Sequence, residues 1–449
     1  KLDDAIWSVQ SDCQMDCTST NPFAFTANMK FNYLNSNYLS QKLTPIKIKP
    51  KFRNTIRIRM IRNLGHHLFS RISMLIDDTQ ISTRDAIGMD IFMQYFLDEK
   101  DKKSYTTQIG NRPYLRKWTT VIPEDVIQLP LLFNYSDNEE NAFPLHLFAK
   151  NNHVVKFIIS RASSVLNLIE MQKFESGQWK NIAPKKKYLD ITTDILKDNP
   201  EMWARYSQTI ESQLSFRRSE NGDKIIIVDI DEEQSSNPVK FGKEERISLK
   251  CTTPASGVFI CSRNSTNSIF NAFSEYTVEF ADVDAPSPIS HIGLDYGKAP
   301  RYPLRESHHS VLAGTFKQTP GIPTENGYHG IIFDVSLKNP RYLGPIPEKN
   351  KAELVVVLGE SYPKYPPTID KLDKKDKDDD DDDDDDDIVE GSIHPGQLNR
   401  KMSNTPEFDV FVRIVTWRTI SLNNGQVVVH TGGDDDPLIS TDVLNGVGV

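Results

Sequence analysis

The chain has 449 residues, 38% of them hydrophobic and 9% aromatic, which is enough material for two or three packed domains. Its formal net charge of −9 is local: the run Asp378–Asp387 supplies −10 and leaves the rest of the chain at +1, so overall acidity says nothing about the body's partners. No basic stripe with interleaved aromatics stands out, which leaves direct, sequence-specific nucleic-acid binding without support.

The opening residues, "KLDDAIWSVQ", lack the apolar core of a signal peptide, and no stretch reaches the ~18 apolar residues of a membrane helix. The first residue is Lys1, so the chain is expected to continue upstream, with residues 1–19 forming an N-terminal arm and synthesis in a reducing, intracellular site. Cys13 and Cys17, spaced C-x-x-x-C, together with Cys251 and Cys261, match no common zinc pattern and are too few for a disulfide scaffold. Free thiols are expected.

Apolar and polar residues then alternate with period two. "TIRIRMI" (residues 55–61) places Ile56, Ile58 and Met60 on one face and Arg57 and Arg59 on the other. Residues 70–76, 154–160, 223–230, 256–262, 276–280, 330–337, 352–359, 408–417 and 425–432 repeat the pattern, and most of the 26 prolines fall between such runs. Two segments break it. Ser82–Leu97 opens with a Ser-x-x-Asp cap and spaces Ile87, Ile91 and Tyr95 as a helix would; Thr192–Ile210 reads as one or two short helices around Pro200. The expected fold is all-β, with two consecutive jelly-roll sandwiches and short helical inserts. The first covers residues 20–215 and the second 216–449, the latter with an acidic loop at about 360–407.

Chemistry-bearing motifs are sparse. His66–His67 and His308–His309 are the candidate metal ligands, but neighbours on a strand point to opposite faces, and neither pair has a partner at a ligand spacing. There is no G-x-S-x-G, H-E-x-x-H or P-loop, and no catalytic, cofactor or metal site is assigned. "SENG" (residues 219–222) and "LNNG" (422–425) read as tight turns, and Asn134 and Asn264 head formal glycosylation sequons expected to stay unmodified.

Several segments, in order, resemble the double-jelly-roll major capsid proteins of nucleocytoplasmic large DNA viruses. "LGHHLFSRISMLIDDTQI" is similar to that family's glycine turn, long strand and I-G-G-x-x-I-D turn, with Asp77–Asp78 in place of the doubled glycine. Leu129-Pro130-Leu131, Phe143-Pro144-Leu145 and His153-Val154-Val155-Lys156 fill the places of its L-x-I-P-L and A-L-P-L…H-x-V-K segment. "GYHGIIFDVSLKNPRYLGPIP" resembles its G-I-Y-x-Y-S-F-A-L-x-P strand, and Arg418, Ser421 and Gly425 match its closing strand.

The resemblance implies a structural protein, not an enzyme. It implies a homotrimer forming pseudo-hexagonal capsomers of an icosahedral shell, with neighbouring capsomers and minor capsid proteins as partners. It also implies residence in the virion and synthesis in the host cytoplasm. The alternative is a lectin-like or carbohydrate-active sandwich with calcium-binding acidic loops. The aspartates themselves are expected to form a solvated loop, since ten adjacent like charges bury nothing and repel; weak cation binding and a basic partner are the other readings. Deleting Asp378–Asp387 is expected to leave folding and the trimer intact.

Overall fold

The computed structural model describes residues 4–9, 15–17, 32–77, 79–133, 143–144, 155–162, 164–190, 200–208, 224–235, 237–280, 282–297, 299–313, 318–333, 352–359, 406–423 and 426–430, apart from residues 251–254. Strands β1 (Asp4–Val9) and β2 (Met15–Cys17) come first, then the long β3 (Asn32–Leu43) and the short β4 (Ile46–Lys47). In β5 (Ile56–Met60) the alternation is realised: Ile56, Ile58 and Met60 are fully buried, while Arg57 and Arg59 are only partly buried. The short helix α1 (Leu64–Leu68) leads to the hairpin of β6 (Arg71–Ile76) and β7 (Thr79–Asp85), whose Asp77 sits at φ 53°. Aspartate is among the few residues other than glycine that tolerate that left-handed conformation.

Helices α2 (Ala86–Tyr95), α3 (Glu99–Gln108) and α4 (Pro113–Arg116) follow. Then come β8 (Val121–Ile122), β9 (Asp125–Pro130), β10 (Phe143–Pro144), β11 (Val155–Ser160), β12 (Ile169–Glu175), β13 (Gln178–Ile182) and β14 (Glu201–Gln208). The remaining strands are β15 (Lys224–Gln234), β16 (Val239–Lys240), β17 (Glu244–Leu249), β18 (Ala255–Asn264), β19 (Ile289–Tyr296), β20 (Ala299–Glu306), β21 (Tyr328–Ile332), β22 (Ala352–Leu358), β23 (Glu407–Asn423) and β24 (Gln426–His430).

The pairing defines the fold. From β15 onward, eight principal strands pair as nested hairpins: β15 with β23, β17 with β22, β18 with β21, and β19 with β20, all antiparallel. Rolling such a nest gives two sheets, β15-β23-β18-β21 and β17-β22-β19-β20, which is a jelly roll. Val258, Ile260, Val412 and Ile414 of one sheet meet Ile247, Ile292, Leu354 and Val356 of the other in its core. The edge strand β20 is exposed almost throughout and carries Pro300 and Pro303, which blunt an otherwise free hydrogen-bonding edge.

The earlier strands repeat three nested pairs: β3 with β14, β5 with β12, and β6 with β11. The innermost pair is replaced, because α2 and α3 follow β7 directly and β9 adds to β3 instead. In the expected N-terminal arm, Asp4–Val9 pairs with β11 and Met15–Cys17 pairs with β1, so both stretches extend a sheet.

Three expectations are corrected. Glu201–Gln208, within the expected helix 192–210, is strand β14; Met202 and Ala204 pack on the core while Trp203 points out and stacks on Tyr38 at 6.4 Å. Pairing along β3 overrides its helix propensity. Ser82 does not cap a helix: residues 82–85 close β7, and Asp85 caps α2 by accepting from the Gly88 N–H at 2.7 Å. Residues 276–280 are irregular rather than a strand, because the Thr277 hydroxyl donates to the Glu279 and Asp282 carbonyls at 2.9 and 2.6 Å and turns the chain.

Candidate functional site

Both faces of β23 are apolar, and each has a different destination. Val410, Val412 and Ile414 enter the core of the second sandwich, whereas Phe411 and Val415 join the core of the first. On β18, Phe259 and Cys261 likewise face the first sandwich; burial pushes the Cys261 thiol far up, so it stays protonated and inert. The helix they meet, α2, is buried over Gly88–Tyr95, as befits a helix held between two layers. Tyr95 and Phe96 lie 4.7 and 5.8 Å from the Phe259 ring. Gly330 of β21 lets this happen, since a Cβ there would stand 3.1 Å from Phe259.

A polar network runs through this buried junction. Asp90, in the middle of α2 and fully buried, accepts from Asn63 Nδ2 at 2.6 Å, His66 Nδ1 at 2.6 Å and the Tyr276 hydroxyl at 2.8 Å. With Nδ1 donating to the carboxylate, His66 turns Nε2 to the Tyr105 hydroxyl at 2.9 Å. Burial opposes the charge on Asp90, but the His66 hydrogen bond, the two histidines and Ser274 outweigh it and hold the carboxyl below its usual range. Further contacts bind the halves. Asp85 pairs with Arg413, Nε to Oδ1 at 3.1 Å; Lys102 Nζ donates to the Gln94 and Ile322 carbonyls at 2.9 and 2.8 Å; and Arg62 pairs with Glu325. Asn271 reaches back to the Ile169 carbonyl at 2.8 Å.

The histidine pairs fall on helical turns rather than on strands. His66 is consumed by Asp90 and Tyr105, and His67 by the Ser274 hydroxyl at 2.7 Å. His308 stacks on His309 at 4.4 Å and pairs with Glu306. Among the described residues no group of three His, Cys, Asp or Glu could hold a metal ion. Asn264 uses its side-chain oxygen to bind the Thr266 N–H and hydroxyl. The Asp378–Asp387 run, Asn134, the 219–222 turn, the Cys13 thiol and Cys251 lie outside the described residues.

A third buried histidine, His329, makes the fold acid-sensitive. The Ser310 hydroxyl donates to the Ser307 carbonyl, so its oxygen accepts from His329 Nδ1 at 3.0 Å, and Nε2 is left to accept from Ser287 at 2.7 Å. Burial drives the His329 imidazole down to about 4, with the Ser307 carbonyl working weakly against the shift. Above pH 6.5 both folded and unfolded chains hold it neutral. As pH falls from 6.5 to about 4 the unfolded chain gains a proton that the folded chain refuses, so stability drops by about 3 kcal/mol over that window. Denaturant midpoints at pH 7 and pH 4.5 should show the loss, and His329→Gln should reduce it without abolishing it, because burial also lowers the His67 imidazole to about 4.

What the arrangement does chemically is join. Its titratable groups are paired with one another inside a packed layer. No family model matches the chain. The major capsid protein of Wiseana iridescent virus is 22% identical over 333 residues; the match takes in 68% of this chain and 65% of that protein, a little under two thirds of its length. The major capsid protein of Lymphocystis disease virus 1 is 19% identical, with 72% of each chain covered. The Faustovirus major capsid protein superposes with a TM-score of 0.59 at 8% identity, over 94% of this chain and 90% of that one. A chain of the PBCV-1 virus capsid gives 0.58 at 12%, over 96% and 97%.

The fold is that of the double-jelly-roll capsid proteins. The nested pairing places each half within that architecture, and α2, standing where a fourth hairpin pair would otherwise be, fills the layer between the two rolls. The relatives and structures named here are capsid proteins, not lectins.

Proposed function

We propose that this chain is the structural shell subunit of an icosahedral virus, acting as a homotrimer whose six sandwiches form a pseudo-hexagonal block. The observation that carries the reading is the junction. Two jelly rolls joined through a continuous apolar core and a buried polar network behave as one rigid body, which a tile in a shell requires. The relatives' role as major capsid proteins supports the same reading. The two sandwiches take residues 20–215 and 216–449. This division is supported by the pairing, since among the described residues strands before residue 209 pair with one another and strands after residue 223 do likewise. Minor capsid proteins and adjoining blocks are the partners, and synthesis is in the host cytoplasm.

Light scattering on purified protein should give three times the 51.1 kDa chain mass and hold it across dilution. A monomer over a wide concentration range would contradict the proposal.

A further inference from the structure

One end of the first sandwich carries a cationic surface that the sequence scatters over distant segments. Residues 45–57 hold five Lys or Arg and no acid; residues 172–190 hold five, against Glu175 and Asp190. Nesting β3–β14 outside β5–β12 brings the connection after β3 beside the connection before β14. The Lys49 N–H accordingly donates to the Tyr188 carbonyl at 3.0 Å, the Asp190 N–H to Lys47 at 2.8 Å, and the Phe52 and Tyr188 rings meet edge-on at 5.0 Å. Lys47, Lys51, Arg53, Lys185, Lys186 and Lys187 are all exposed, and among the described residues none of these six is in an ion pair. Glu175 is already taken by Lys173. Such a cluster repels itself and attracts a polyanion.

The chain carries a polyanion of its own. Asp378–Asp387 lies between β22 and β23, the connection that corresponds in the second sandwich to the one bearing Lys185–Lys187 in the first. The described chain leaves at Gly359 and resumes at Pro406, 19 residues before Asp378 and 19 after Asp387. At roughly 3.3 Å per residue each arm spans up to about 60 Å, enough to cross to an adjoining subunit. The rings beside the surface favour carboxylates over stacked bases. The Arg57 guanidinium already lies 4.3 Å from Trp179 and 5.2 Å from Trp118, and Arg59 lies 4.4 Å from Trp118. The exposed cations are mostly lysines, point charges suited to a flexible carboxylate run.

We propose that the Asp378–Asp387 run of one copy docks on this cationic end of a neighbouring copy. The inference rests on the trimer reading: in a threefold ring with two sandwiches per chain, each first sandwich borders the second sandwich of the next chain. It chooses the basic partner among the three readings of the run and makes the contact one between copies.

The test begins with protein lacking residues 378–387, titrated with a labelled peptide of residues 376–390 and read by anisotropy and by tryptophan fluorescence from Trp118 and Trp179. Saturable binding is expected, weakening at least about tenfold between about 50 and about 500 mM salt. The triple variant Lys185→Ala/Lys186→Ala/Lys187→Ala should bind at least about tenfold more weakly with its melting temperature unchanged, since exposed charges add little to stability. Equal binding by the triple variant, or a DNA oligonucleotide of equal charge binding more tightly than the peptide, would overturn the proposal whatever the oligomeric state. Next, the deletion chain is mixed with the triple variant, allowed to exchange subunits and treated with a zero-length carbodiimide. Amide links from the aspartates of one chain to lysines of the other support docking between copies. In wild-type protein, links confined to single chains would overturn it even where the trimer forms. Peptide binding by a protein that remains monomeric would instead overturn the trimer reading on which the proposal rests.

Discussion

Replacing Asp90 with alanine is expected to destabilise the protein by about 3–5 kcal/mol, a large part of the stability of an ordinary domain. The carboxylate is the shared acceptor for Asn63, His66 and Tyr276, and all three donors are buried with it. Its removal leaves three buried donors unmatched and a fully buried gap in α2. Tyr276 comes from the second sandwich and the other two from the first, so the loss falls on the joint between them. Asp90→Asn, which keeps the shape and one acceptor oxygen, should lie between wild type and alanine. Urea denaturation of the three proteins at pH 7 gives the ranking. If Asp90→Ala matched wild type, the network would contribute nothing to the joint between the sandwiches.

A second substitution strikes the core directly. Val412→Asp should prevent soluble trimer from accumulating, with a cost of at least about 4 kcal/mol. Val412 is fully buried among the side chains of both sheets of the second sandwich, facing away from the junction. An aspartate there loses the apolar burial, about 2 kcal/mol, and either buries an unpaired charge or takes up a proton at further cost. Its neighbour Arg413 offers no rescue, because adjacent strand residues face opposite ways and Arg413 is committed to Asp85. Val412→Ala, which leaves only a cavity, should fold with a lowered melting temperature. Expression, sedimentation and melting of the two variants separate the outcomes, and a soluble, normally melting Val412→Asp protein would mean that the inward face of β23 has been misassigned.

The second sandwich was largely legible in the sequence because its strands obey the period-two rule: β15, β18, β22, β23 and β24 all fall where alternating β-branched runs place them. Residues 410–417 carry apolar side chains on both faces, which fits a strand packed on two sides, and Phe411 and Val415 join the core of the first sandwich. Where local and tertiary demands diverge, the reading failed. Residues 201–208 have good helix formers and a preceding proline, yet β3 supplies a ladder for them to join. The run at 276–280 alternates like a strand, but Tyr276 is held by Asp90 from 186 residues away.

The junction itself was beyond reach for the same reason. Arg413 and Asp85 are 328 residues apart, and no spacing rule joins them. One signal was present: an acid at position 90, on an otherwise apolar helical stretch, has to find buried donors. The cationic end was invisible because the absence of a basic stripe is a statement about sequence order. The nested pairing assembles one from segments more than a hundred residues apart.

Images of the purified protein in negative stain decide whether the chain forms a trimeric block. Class averages should show six-sided particles with three lobes, each lobe one chain and each chain two sandwiches wide. Uniform single-chain particles at concentrations where the protein is stable and folded would contradict it.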